Sequence, residues 1–115
     1  MAWKKRAKGK GPRFARSATA IGNASEYRCE LELKSMGYVT WKVQRRRYGS
    51  MDMFGLFDVV GVRSDGSNMK FIQVKTNRVE RKVKDAIRAF PMPPLCYKEV
   101  WVWKSKDEKW LVHAL

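Results

Sequence analysis

Long apolar stretches are missing from this sequence. No run of about 18 apolar residues occurs in its 115 positions, so no segment reads as a membrane-spanning helix. The basic N-terminal stretch is not followed by the ~7–15 apolar residues of a secretory signal. The chain is therefore expected inside a cell, in the cytoplasm or in that of the host of a virus or phage. Histidine and cysteine are nearly absent, with only His113, Cys29 and Cys96. The two cysteines stand far apart and form no CxxC, which argues against a zinc site and for two buried, reduced thiols. Acidic residues are scarce as well: 11 Asp and Glu face 25 Lys and Arg, a net charge of +14. Such an imbalance points to a polyanionic partner. Apolar residues make up 44% of the chain, with five Trp, five Phe and four Tyr. That content excludes an intrinsically disordered chain and fits a single globular domain of this length.

Residues 1–16 carry Lys4, Lys5, Arg6, Lys8, Lys10, Arg13 and Arg16 with no acid among them. Their mutual repulsion predicts a disordered basic arm that orders on phosphate, followed by one domain over 17–115. Helical spacing over 17–36, stopped by Gly37, predicts a first helix. It has two apolar stripes, one of Ala20, Ala24, Tyr27 and Leu31 and the other of Cys29, Leu33 and Met36. One stripe is expected to pack on a sheet and the other on a second subunit, giving a homodimer. Glu26 lies at the edge of the Cys29 stripe, while Glu30 and Glu32 read as solvated.

β-branched and aromatic residues predict strands over 38–44, 56–62 and 69–75. The sequence 45–50, with Arg45, Arg46, Arg47 and Ser50, reads as a basic loop, and Ser64-Asp65-Gly66-Ser67 as a hairpin turn. Asn77, with Glu80 three positions on, resembles a capping box before a helix carrying Val79, Val83, Ala86 and Phe90, which Pro91, Pro93 and Pro94 end. Strands over 99–104 and 110–114 around a turn at 105–108 complete the order α-β-β-β-α-β-β. His113 reads as a strand residue, and Trp101, Trp103 and Trp110 as fillers of a core or interface.

Asp58 interrupts an otherwise apolar strand, Leu-Phe-Asp-Val-Val-Gly-Val, where an ionised carboxylate is costly without a cation or donors. Gln73 and Lys75, two apart on the next strand, share a face that Asp58 can join across the hairpin. Glu26 can approach from the first helix. A carboxylate, an amide oxygen and an ammonium with a second carboxylate nearby suit Mg²⁺-dependent phosphodiester chemistry, with Mn²⁺ as a substitute. A structural ion pair between Asp58 and Lys75 is the plainer alternative.

An Asp, a hairpin turn and an apolar strand ending in Gln73-Val74-Lys75, preceded by a helix with Glu26, resemble the PD-(D/E)XK nuclease superfamily. Within it the chain is most similar to the archaeal and phage Holliday junction resolvases, since Glu26 precedes Gly37-Tyr38 by the eleven positions seen there. The resemblance covers about 26–90. It implies an α/β (α+β) class with a restriction-endonuclease-like αβββαβ core, a central mixed sheet flanked by helices. It also implies metal ligation by Glu26, Asp58 and the Gln73 position, Lys75 as the catalytic lysine, and a dimer that nicks a four-way DNA junction in pairs. Two departures stand out: Gln73 occupies the place of the family's second acid, and Phe57 that of the Pro before the Asp. In the loop before Asp58, Ser50 is a candidate for the serine the resolvases carry there, and Asp52 for the missing acid.

Phosphate contacts are expected from the N-terminal arm, from Arg45 to Arg47 and from the helix face with Arg78, Arg81 and Lys82. Such contacts position DNA without reading bases. A non-catalytic nucleic-acid-binding module on the same fold, its site decayed through Gln73, is the alternative to an endonuclease. A sequence-specific restriction-type enzyme would need base-reading loops for which the chain has little room.

Overall fold

A computed structural model describes residues 17–44 and 52–115. Its elements run α1 (Ala18–Ser35), β1 (Tyr38–Lys42), β2 (Val59–Arg63), β3 (Met69–Thr76), α2 (Arg81–Ala89), β4 (Cys96–Lys104) and β5 (Lys109–Ala114). The order is the one expected from the sequence. No described helix is long and apolar enough to cross a membrane.

Ser17 starts α1 by accepting the Ala20 amide proton on its hydroxyl, at 3.1 Å, satisfying one of the donors a helix start leaves open. At the other end Met36 is the C-cap and Gly37 follows at φ 90°, a left-handed conformation that glycine adopts without a Cβ clash. The helix buries Ser25, Glu26, Cys29 and Leu33, so the Cys29 stripe is the one turned to the sheet. Tyr27 and Leu31 of the other stripe stay 58% and 48% exposed. Met36, expected on the inner stripe, is exposed instead because the helix has already ended there. Glu30 is not simply solvated: it accepts a hydrogen bond from Thr40 of β1 at 2.9 Å.

The five strands form one mixed sheet in the order β1-β2-β3-β4-β5. All neighbours are antiparallel except β3 and β4, which are parallel and need the crossover that α2 supplies. Side chains of β4 alternate between two cores. Trp101 faces α1 with Cys29, Leu33, Val59, Ile72 and Val74. Val100 and Val102 face the other way with Phe57 and Ile87 of α2. A helix thus covers each face, and the class is α+β. Trp101 fills a core, and Trp110 packs edge-on against both Trp101 and Trp103, at 5.3 and 5.1 Å between centroids. Cys29 and Cys96 are both free, Cys29 buried and Cys96 half-buried; burial pushes the Cys29 thiol pKa upward, with nearby carboxylates adding to it.

Three local expectations differ from the structure. First, β2 begins only at Val59, because 53–57 closes a tight turn: Met53 and Phe57 form a bridge, and Phe54 and Gly55 at the turn centre have φ of 55° and 70°. Two successive positive φ values are what a two-residue reversal requires. Asp58 therefore lies at the bend leading into β2, not within the strand. Second, the Asn77–Glu80 capping box does not form; Glu80 is the N-cap of α2 and makes no side-chain cap bond. Asn77 is left-handed at φ 69°, and its side-chain oxygen accepts the Ser105 amide proton at 2.9 Å, tying the end of β3 to the β4–β5 turn. Third, β1 stops at Lys42 and β4 starts earlier than expected, at Cys96. The hairpin at 64–67 forms as expected, with Gly66 at φ 76° and Asp65 accepting from the Ser67 amide at 2.9 Å.

Candidate active site

Register determines how the site assembles. Val59 of β2 pairs with Ile72 of β3, so the bend before β2 lies beside the C-terminal half of β3. Asp58 reaches across it, and its Oδ2 accepts the Val74 amide proton at 3.0 Å. Gln73 and Lys75, on either side of Val74, point to the opposite face of the strand from Val74 itself. Glu26 arrives from α1 and is 2% exposed. Lys42 of β1 donates to its Oε1 at 3.3 Å.

All four predicted site residues, Glu26, Asp58, Gln73 and Lys75, line one cleft of about 370 Å³, together with Asp52. Gln73, Lys75 and Asp52 also line an adjoining cleft of about 300 Å³ that Lys82 and Val83 of α2 close. A further groove, about 500 Å³, shares Ile21 and Thr76 with the first and extends to Arg28. The guanidinium of Arg28 lies 4.8 Å from the Trp103 ring.

Burial raises the pKa of Asp58 from 3.8 to about 7, working against the Val74 hydrogen bond, which lowers it; a hydrogen bond with Asp52 and the charges of Asp52 and Glu26 raise it further. A neighbouring like charge makes ionisation of Asp58 costlier still. Gln73 is 6% exposed, and its side-chain amide has no hydrogen-bond partner among the described residues. A buried amide in that state is costly unless something else meets it. Lys75 is half-buried and makes no ion pair among the described residues.

A divalent cation fits this donor set. The oxygens are hard, burial and the neighbouring acids disfavour the charge on Asp58, and the buried Gln73 amide has an oxygen to offer. Among the described residues no three acidic, histidine or cysteine side chains converge into a metal-binding group. Mg²⁺, however, keeps several waters and binds through one or two carboxylates plus substrate phosphate, so a closed cage is not required.

Of the expected phosphate contacts on α2 and the segment before it, Arg78 and Lys82 lie 3.8 Å from Glu80, and Arg81 lies 3.9 Å from Asp85. These are exposed pairs that a phosphate can compete for. Lys4, Lys5, Arg6, Lys8, Lys10, Arg13, Arg16, Arg45, Arg46, Arg47 and Ser50 lie outside the described residues. Two participants were not picked out from the sequence. Lys42 is legible only once β1 is known to turn Tyr38, Thr40 and Lys42 towards α1. Arg28 gave no signal beyond its charge.

No protein-family model matches the chain, and no curated protein matches it. The resemblance to the PD-(D/E)XK nucleases therefore rests on motif residues and their arrangement.

Proposed function

We propose that this protein is a metal-dependent, structure-selective DNA endonuclease of the PD-(D/E)XK type, acting on four-way junctions. The observation that carries the reading is the meeting of Glu26, Asp58, Gln73 and Lys75 in one cleft where β2 begins and β3 ends, on a chain of net charge +14. The α-β-β-β-α-β order around a mixed sheet is compatible with it.

Mg²⁺, or Mn²⁺ in its place, would be held by Asp58 and the amide oxygen of Gln73, with Glu26 close behind. When bound, such an ion acidifies water and stabilises charge on phosphorus. The chain's own groups do the rest. The Val74 amide holds the Asp58 carboxylate in one orientation. Lys75 carries a fixed positive charge to the place where charge develops on the phosphate, and it can orient the attacking water. Arg28, Arg78, Arg81 and Lys82 hold the DNA backbone without reading its bases. Branch selectivity follows from two such sites at a fixed distance in a homodimer, with the exposed Tyr27 and Leu31 stripe of α1 as the joining face.

The test incubates purified protein with a labelled immobile four-way junction and with its linear arm, in Mg²⁺, Mn²⁺ or EDTA, and resolves products on a denaturing gel. Paired, metal-dependent nicks near the branch are expected, lost in Asp58→Ala and Lys75→Ala while junction binding persists. Normal cutting by both variants would sink the catalytic assignment. Gln73, standing where an acid is usual, favours a second reading, a binding module on the same fold. Tight, salt-sensitive junction binding with no nicks in any metal would establish that reading instead.

A further inference from the structure

The cleft holds a third carboxylate beside Glu26 and Asp58, and it comes from a place the family pattern does not use. Asp52 sits six positions before Asp58, at the start of the 53–57 turn. Its carbonyl accepts the Gly55 amide proton at 2.9 Å, and the Met53 carbonyl accepts those of Leu56 and Phe57 at 2.9 and 3.0 Å. With Phe54 and Gly55 both left-handed, the chain folds back on itself and Asp52 comes to line the same cleft as Asp58. Asp52 lines both clefts that Gln73 and Lys75 line. Glu26, the acid that the family pattern brings from the first helix, pairs with Lys42.

A pair of carboxylates in one cleft does not by itself define a ligand site. The second observation is Gln73: nine-tenths buried, in the wall of the same cleft, with no hydrogen-bond partner for its amide among the described residues. Two carboxylates lining one cleft and a buried, unmatched amide in its wall are all relieved by the same thing, a hard cation with water filling its remaining positions. Resting on the nuclease reading, we propose that Asp52 is a metal ligand of this site, supplying with Asp58 the second carboxylate that Gln73 cannot. The negative charge missing from the third strand is thereby restored from the turn before the second. Gln73 keeps a neutral oxygen in the set, and the ion is held mainly by groups six positions apart in one short turn.

The experiment measures Mn²⁺ binding to the full chain by electron paramagnetic resonance, without DNA and without reference to cleavage. Wild type should bind. Asp52→Asn, which keeps shape and hydrogen bonding, should lose at least about tenfold in affinity, the loss already typical of removing a group one shell further out. Adding Gln73→Glu in the Asp52→Asn background should restore binding, since a carboxylate returns to the same cleft. Glu32→Gln, an exposed acid elsewhere on α1, should change nothing. Thermal melting in EDTA checks that each variant is folded. If wild type binds Mn²⁺ and Asp52→Asn binds it equally well, the Asp52 assignment is wrong and the nuclease reading stands. If wild type binds no Mn²⁺ at all, the metal-dependent reading falls with it.

Discussion

Replacing Asp58 by asparagine should make the metal-free protein more stable, and the size of the gain should depend on pH. Asp58 is 3% exposed and its pKa is raised from 3.8 to about 7, by burial first and then by Asp52 and Glu26. That difference amounts to about 4 kcal/mol of preference for the neutral carboxyl in the folded state. The folded protein holds this proton between about pH 4 and pH 7 while the unfolded chain has released it. Folding stability contributed by Asp58 therefore falls as pH rises through that window. The Asp58→Asn variant avoids the loss: the new side chain's oxygen can accept the Val74 amide proton and its amino group can donate to Asp52. Wild type and Asp58→Asn should thus melt alike near pH 4. By pH 8 the variant should be the more stable by up to about 4 kcal/mol; even half of that is roughly 8 °C or more in melting temperature for a domain of this size. Circular dichroism melts in EDTA at matched pH values give the comparison, and the other carboxylates cancel in it. A gap that does not change with pH, or a variant less stable than wild type at pH 8, would refute the argument. Mg²⁺ should narrow the gap by stabilising wild type alone, since a ligand that binds only the folded state raises its stability.

Two further outcomes test the packing and the assembly. A Cβ on Gly61 would lie 3.1 Å from Cδ2 of Tyr38 and 3.4 Å from Cδ1 of Leu33, so Gly61→Ala should cost about 1 kcal/mol net, overpacking outweighing the gain in backbone entropy; a variant as stable as wild type in urea would contradict this close packing. Light scattering at micromolar concentration should give a dimer, and Tyr27→Glu with Leu31→Glu a folded monomer; a monomeric wild type would remove the basis for branch selectivity.

Periodicity and turn chemistry carried most of the fold. The α-β-β-β-α-β-β order, the Gly37 stop, the Asp65-Gly66 hairpin and the inward Cys29–Leu33 stripe were all legible, because each depends on neighbours within a few positions. Two of the errors share one cause. Leu56 and Phe57 have the composition of a strand, yet Phe57 leaves the ladder to sit between the rings of Phe71 and Phe90, at 5.6 and 5.7 Å. Asn77 and Glu80 have the spacing of a capping box, yet the Asn77 side chain is taken by the Ser105 amide from far along the chain. Local preference was overridden where a distant partner offered a better contact.

The same division runs through the candidate site. Composition and spacing alone gave the strongly basic character of the chain, the order of its helices and strands, and the candidacy of Asp58, Gln73, Lys75 and Glu26. Nothing in the order of residues could say that Asp52 would line one cleft with Asp58, that Lys42 would pair with Glu26, or that the Gln73 amide would be buried without a partner among the described residues. Those facts depend on β2–β3 register, on a turn with two left-handed residues and on the face β1 turns to α1. Contact, burial and ion pairing arise between groups that only the folded chain brings within reach.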